Sequence, residues 1–247
     1  MDSGLHTEHA RLVVISPHLD DAVLGCGQLL AARPGAVVVT AFAGRPAAYP
    51  ELTSWDARAG FKPGDDVVAA RRAEDRAALA LLRARPVWLD FPDPQYGPRP
   101  SLDALSEALE RAILASAADL VMIPLGLFHG DHELTHAASL EVMRRRPGPA
   151  WFAYEEPIYR RKPNLVEEQL AALRRAGIDV RPAGASSERG REPKRRAVAR
   201  YRSQLRALAV SWDDGHADAF EPEQYWRLTI RVPRAARPRP ASEPHGR

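Results

Sequence analysis

Residues 11–27, RLVVISPHLDDAVLGCG, decide the fold. The first part is a short β-branched apolar run ending at Pro17. The second part, continued by QLLAARPG, spaces its apolar residues as a helix that stops at Gly35. Strand, polar turn and helix in that order form the opening unit of an α/β sheet. The turn between them, HLDD, places one imidazole and two carboxylates at the carboxyl end of a strand.

The same alternation continues outward. AVVVTAFAG reads as a second buried strand, DDVVAARRAEDRAALALLRAR as a helix, PVWLDFPD as a third strand, SLDALSEALERAILASAA as a helix and DLVMIPLG as a fourth strand. Four strands alternating with helices imply a parallel sheet with right-handed crossovers. HELTHAASLEVMRRR is then expected to be a helix and AWFAYEEPIY a strand. NLVEEQLAALRRAG is a further helix, with Asn164 and Glu167 spaced as a capping box. A single helix over EPKRRAVARYRSQLRAL and a last strand, WRLTIRV, close the fold. Residues 44–64 are rich in Pro and Gly and are expected to form a loop over the site, with Tyr49, Trp55 and Phe61 available to stack on a ligand ring. Residues 1–232 are expected to be one domain and the Pro/Arg-rich tail 233–247 to be disordered.

Composition removes several function classes. The one cysteine, Cys26, excludes an intramolecular disulfide framework and a cysteine-rich zinc site, so any metal has to be held by His, Asp or Glu. The first residues lack a basic n-region and an apolar h-region, and no long apolar run follows, which points to a cytoplasmic protein without a membrane span. Net charge is +3, and the arginine excess after residue 188 has no interleaved aromatics, so it reads as a solvated helix face and not as a nucleic-acid surface.

Ligands of open α/β sheets bind beyond the carboxyl ends of the strands. HLDD follows the first strand and FHGDH follows the fourth, so the two clusters are brought to one edge. His18, Asp21 and His132 then supply two imidazoles and a carboxylate, a set suited to catalytic zinc and also to Fe(II). Asp20, adjacent to Asp21 but unligated, is placed to take a proton from an attacking water, and His129 to face the developing oxyanion or the leaving group. Two other readings stand beside this one. Asp21 on its own suits a helix N-cap. HELTH, residues 132–136, also matches the helical H-E-x-x-H motif, with His132 and His136 on metal and Glu133 as base. That motif belongs inside a helix, whereas Asp131 looks like an N-cap that would put His132 in the first turn. It would also need a third ligand from His216, Glu155, Glu156 or Asp213.

SPHLDDAVLGCG resembles the (A/P)HPDDExxxxG motif of the PIG-L or LmbE-like deacetylases, and HGDH resembles their H-x-D-H motif. RRAEDRAALALL, LDFPD and KRRAVARYRSQL agree in order and spacing, so the resemblance covers roughly residues 11 to 210. It implies a Rossmann-like three-layer α/β fold with a mainly parallel central sheet, and zinc-dependent removal of an acetyl group from an N-acetylated amino sugar, of the N-acetylglucosamine type, in a larger conjugate. Carried over, His18, Asp21 and His132 correspond to the zinc ligands, Asp20 to the general base and His129 to the histidine of the tetrahedral step. Asp131 corresponds to an acidic group behind the ligands. Arg71, with Glu74, and Asp93 correspond to positions near the sugar, Arg72 being an equally near alignment. Leu19 stands where the family has proline and Ala22 where it has glutamate, so a looser turn and a missing carboxylate are expected. The alternatives are an amidase for another acyl group or thiol conjugate, and a non-catalytic carbohydrate- or nucleotide-binding protein on the same fold.

Overall fold

The computed structural model describes residues 10–185, 190–211 and 215–231; the tail from Pro233 and Asp213 lie outside them. Seven strands form one sheet in the order β3-β2-β1-β4-β5-β7-β6. β1 (Leu12–Ser16), β2 (Val37–Thr40), β3 (Arg85–Trp88), β4 (Leu120–Pro124) and β5 (Ala150–Tyr154) are parallel, with Val14 opposite Val38 on one side and Met122 on the other. β6 (Ile178–Ala185) and β7 (Gln224–Ile230) extend the sheet antiparallel. The expected parallel core is present. The edge strand β6 was not expected: its Pro182 and Gly184 weaken a strand signal, and an edge position is where a sheet tolerates proline.

Helices cover both faces, because the strand side chains alternate. Leu12 and Val14 enter one core with α1 (Asp21–Ala31), α3 (Val67–Leu81) and α7 (Arg191–Val198); Val13 and Ile15 enter the other with α4 (Leu102–Ala115), α5 (Gly130–Arg145) and α6 (Leu165–Arg175). The chain winds from β1 through β2 to β3 and then returns past β1 to β4. The crevice at that reversal lies between the carboxyl ends of β1 and β4, which is where ligands bind in such sheets.

Packing fixes the pose of α1. A Cβ on Gly25 would lie 2.5 Å from the ring of Tyr154, so only glycine lets the helix lie this close to β5. Cys26 breaks the helical backbone with φ −133°, and the amides this frees, Gln28 and Leu29, donate to Glu223 at 2.9 and 3.2 Å. Lys194 pairs with the same carboxylate at 2.7 Å, so the buried charge is matched.

Four local expectations change. Residues 44–64 contain a short helix, α2 (Ser54–Ala59), which packs on α8 (Arg202–Ser211). The expected single helix over 192–208 is two, α7 and α8; Glu74 binds the Ser203 amide at 2.9 Å and its hydroxyl at 2.6 Å, which holds a fresh helix start. Asn164 sits at φ +62° and makes no side-chain cap, so the capping box with Glu167 does not form. α5 begins at Gly130, with His129 and not Asp131 as N-cap. Among the described residues no helix is long and apolar enough to cross a membrane.

Candidate functional site

The turn after β1 is held by Ser16. Its hydroxyl donates to the carbonyl of His18 at 2.6 Å and accepts the amide of Ala22 at 2.9 Å, while the His18 amide donates to Asp21 Oδ2 at 2.8 Å. These bonds close the turn without the family's proline, and Leu19 is buried in the cavity wall. The expectation of a looser turn is therefore not met. Asp20 is the N-cap residue of α1, but its side chain makes no capping bond; the carboxylate lines the cavity, and Asp21 is occupied elsewhere.

Asp21 Oδ2 is the meeting point. His18 Nδ1 lies 3.1 Å from it and His132 Nε2 3.3 Å from it, and ligand atoms of the three residues lie within 4.8 Å of one another. The other nitrogen of each imidazole is held by a buried carboxylate. His18 Nε2 is 3.1 Å from Asp131 Oδ2, and His132 Nδ1 is 3.3 Å from Glu156 Oε1. An outer carboxylate on a histidine fixes its tautomer and orientation and leaves the inner nitrogen for a metal. Glu156 is itself anchored by the amides of Leu125, Gly126 and Leu127, directly after β4, at 3.1, 2.8 and 3.0 Å. Arg99 Nε stands 3.1 Å from the other oxygen of Asp131.

His18, His129 and Asp131 form a second group of the right ligand types. In it Asp131 lies behind both imidazoles, 98% buried at its side chain, and two of its contacts are the outward nitrogens. The first group, which opens on the cavity through His18, Asp21 and His132, is the better fit for an ion.

Electrostatics agree. Burial works against charge on His18, but hydrogen bonds to Asp131 and Asp21 outweigh it and hold this imidazole well above its usual value. For His132 burial is likewise outweighed, by Asp21 and then Glu156, and the value rises to about 9. Burial would raise Asp21, yet His132 and His18 hold it well below the usual carboxylate range. Two buried carboxylates, Asp131 and Glu156, and the half-buried Asp21 around two imidazoles thus favour positive charge at this point, as a divalent ion requires. Burial, then the like charge of Asp21, pushes Asp20 up to about 7.

His129 caps α5: its Nδ1 accepts the Asp131 amide at 3.3 Å. In the neutral ring this leaves Nε2 carrying the proton, a donor available to the cavity. Burial and the neighbouring His18 lower its pKa, which keeps it neutral.

The cavity encloses about 430 Å³. Arg71 and Asp93 line it; Arg72 instead donates to the Ala43 carbonyl at 2.8 Å and lies over Trp88, so Arg71 is the arginine that faces the site. Arg71 is held by Asp56 at 2.7 Å and by Tyr96 at 3.2 Å. Of the three aromatics expected over the site only Trp55 lines it, with its indole on Gln204 at 3.1 Å. Tyr49 is bonded to Asp66, and Phe61 lies against Arg71. His136 gives Nδ1 to the carbonyl of Pro124 at 2.8 Å and is absent from both ligand groups, so the H-E-x-x-H reading has no geometry behind it. Glu156, considered from sequence only as a third ligand in that reading, is instead the support of His132. Tyr159, 5.1 Å from His132, had no sequence signal at all.

The profile of the PIG-L family, described as GlcNAc-PI de-N-acetylase, matches residues 13–143, just over half of the chain. The chain belongs to the PIG-L family. A Streptomyces fradiae relative, 2'-N-acetylparomamine deacetylase, is 30% identical over 187 residues, covering 68% of this chain and 64% of that protein. The chain therefore spans just under two thirds of that relative's length. Among solved structures, the zinc-inhibited form of teicoplanin deacetylase superposes with a TM-score of 0.76 at 25% identity, over 91% of this chain and 100% of that one. A deacetylase of an antimicrobial pseudoaglycone gives 0.70 at 27% identity, over 91% and 99%. The α/β fold with its mixed, mostly parallel sheet is thus the PIG-L fold, and the candidate ligands His18, Asp21 and His132 lie within the matched residues.

Proposed function

We propose that this PIG-L protein is a metal-dependent hydrolase that removes the acetyl group from an N-acetylated amino sugar carried in a glycoconjugate or secondary metabolite. The observation that carries the reading is the convergence of His18 Nδ1, Asp21 Oδ2 and His132 Nε2 beside the unoccupied carboxylate of Asp20 in a cavity of about 430 Å³. Relatives that act on sugar-containing metabolites support the substrate class.

His18, Asp21 and His132 would hold the ion; two nitrogens and one oxygen suit zinc, and Fe(II) as well. A divalent ion supplies a Lewis acid for the acetamide carbonyl and brings the pKa of a water toward neutrality. The chain's own groups do the rest. Asp20 takes the proton of the attacking water as the new C–O bond forms. His129, as the Nε2–H tautomer, donates to the oxygen that becomes negative, in a site where a preorganised donor costs no reorganisation. The C–N bond then breaks, the amine leaves with the proton Asp20 took, and the acetic acid formed loses its remaining proton to solvent or the amine to give acetate. Asp131 and Glu156 hold the imidazoles in register throughout. Arg71 and Asp93 face the space where the sugar would sit.

The test is acetate release from a panel of N-acetyl amino-sugar conjugates, using protein stripped of metal and then reloaded with zinc or iron(II). The expected result is activity in the reloaded protein and none in the stripped one. Metal binding without acetate from any conjugate would favour a binding protein on the same fold; release of a different acid would favour an amidase for another acyl group.

A further inference from the structure

Two backbone outliers flank the cavity. Phe128 has φ +63° and Ile158 has φ +76° with ψ −55°, conformations that side chains with a Cβ rarely adopt and that are kept only where surrounding structure holds them. The Ile158 turn is held by Asp218, which accepts its amide at 2.8 Å and takes Arg160 Nε and its second guanidinium nitrogen at 2.9 and 3.0 Å. That turn sets Tyr159 at 5.1 Å from His132 and 5.5 Å from Phe128. Phe128 is 50% exposed, and Lys162 Nζ lies 4.0 Å over its ring. Aromatic surface therefore runs without a break from the buried imidazole of His132 to solvent.

Exposing a phenyl group to water and holding it at positive φ are both unfavourable to the folded state. Among the described residues only Phe128 is both an exposed large hydrophobic side chain and a non-glycine residue at positive φ. Both occur at Phe128, one residue before His129 and on the cavity wall. With the acyl group at the His132 end, Tyr159 and Phe128 offer the opposite end of the substrate a path to solvent. From this we infer that Phe128, backed by Tyr159, is a specificity-determining platform for the group attached to the amino sugar, and that this group is flat and apolar, an aryl-type aglycone. The inference rests on the hydrolase reading for the direction of the substrate, and it adds which conjugates are preferred.

The probe is an aryl N-acetylglucosaminide, compared with N-acetylglucosamine itself, on wild type, Phe128→Gly and Phe128→Trp. Binding is read by fluorescence titration of the aryl group and by competition, and KM is read where turnover occurs. Wild type binds the aryl glycoside more tightly than the free sugar. Phe128→Gly weakens the aryl glycoside about tenfold more than it weakens the free sugar, as expected for loss of one aromatic stack, and has a Tm equal to or above wild type because glycine relieves the strained φ. Phe128→Trp restores the preference. Equal weakening of both ligands, no preference in wild type, or a Tm several degrees lower with the preference intact would each overturn it. Tight aryl binding through Phe128 without any acetate release would count against the hydrolase reading alone.

Discussion

Glu156 holds His132 by the nitrogen that faces away from the cavity, at 3.3 Å, and is itself held by three consecutive backbone amides at the end of β4. A candidate metal ligand is thus locked to the sheet through one carboxylate. Replacing Glu156 with Gln puts an amide NH₂ against backbone donors and loosens the imidazole. The expected outcome is a loss of about 10- to 100-fold in zinc affinity, read by competition with a chromophoric chelator. Unchanged affinity would remove Glu156 from the site.

The two histidines of HELTH separate in the same assay. His132→Gln takes a nitrogen from the ligand set and should abolish stoichiometric metal. His136→Gln breaks only the bond to the Pro124 carbonyl, so metal content stays at wild-type level while stability falls by about 1–2 kcal/mol in urea unfolding. Loss of metal in His136→Gln would revive the H-E-x-x-H reading.

Gly25 sets how closely α1, and with it the HLDD turn, approaches β5. Gly25→Ala would place a methyl group 2.5 Å from the Tyr154 ring. Overpacking of this kind costs about 1–3 kcal/mol, and the displaced helix start should weaken metal binding as well. Thermal unfolding and metal titration together check this.

Asp75 is buried where Trp88 Nε1 and the Tyr201 hydroxyl meet it, each at 2.8 Å. Burial raises it from the ordinary 3.8 to about 7 despite those bonds. A carboxyl raised in the folded state contributes stability that is fully present below about pH 4 and lost as pH climbs through about 7, because there the folded form must give up a proton it holds more tightly than the unfolded chain does. Asp75→Asn accepts from Trp88, donates to Tyr201 and has no proton to lose. Relative to wild type it should gain on the order of 2–4 kcal/mol between pH 4 and pH 8. Parallel stability curves for the two proteins would contradict the raised value.

Much of this was legible in the chain. β1, β2, β4 and β5 are apolar runs with turn residues at their ends, and the alternation with helices fixes parallel order and therefore the crevice that joins HLDD to HGDH. What was hidden depended on tertiary contacts. β6 carries Pro182 and Gly184 and exists because β7 pairs with it. The break between α7 and α8 exists because Glu74, from α3, binds Ser203. His129 displaces Asp131 as the cap because Asp131 is drawn inward by His18 and Arg99, contacts no local pattern reveals. Glu156 and Tyr159 reach the site from the end of β5, a segment with no family motif, and only the sheet order places it beside β4.

The central claim is that Asp20 is the base of a hydrolase whose metal sits on His18, Asp21 and His132. The most direct measurement is acetate release by Asp20→Ala against wild type, both loaded with zinc and assayed for metal content on the same samples. The account predicts equal metal in the two proteins and a rate in the variant lower by about 10²- to 10⁴-fold. A variant that keeps both its metal and the wild-type rate would contradict it.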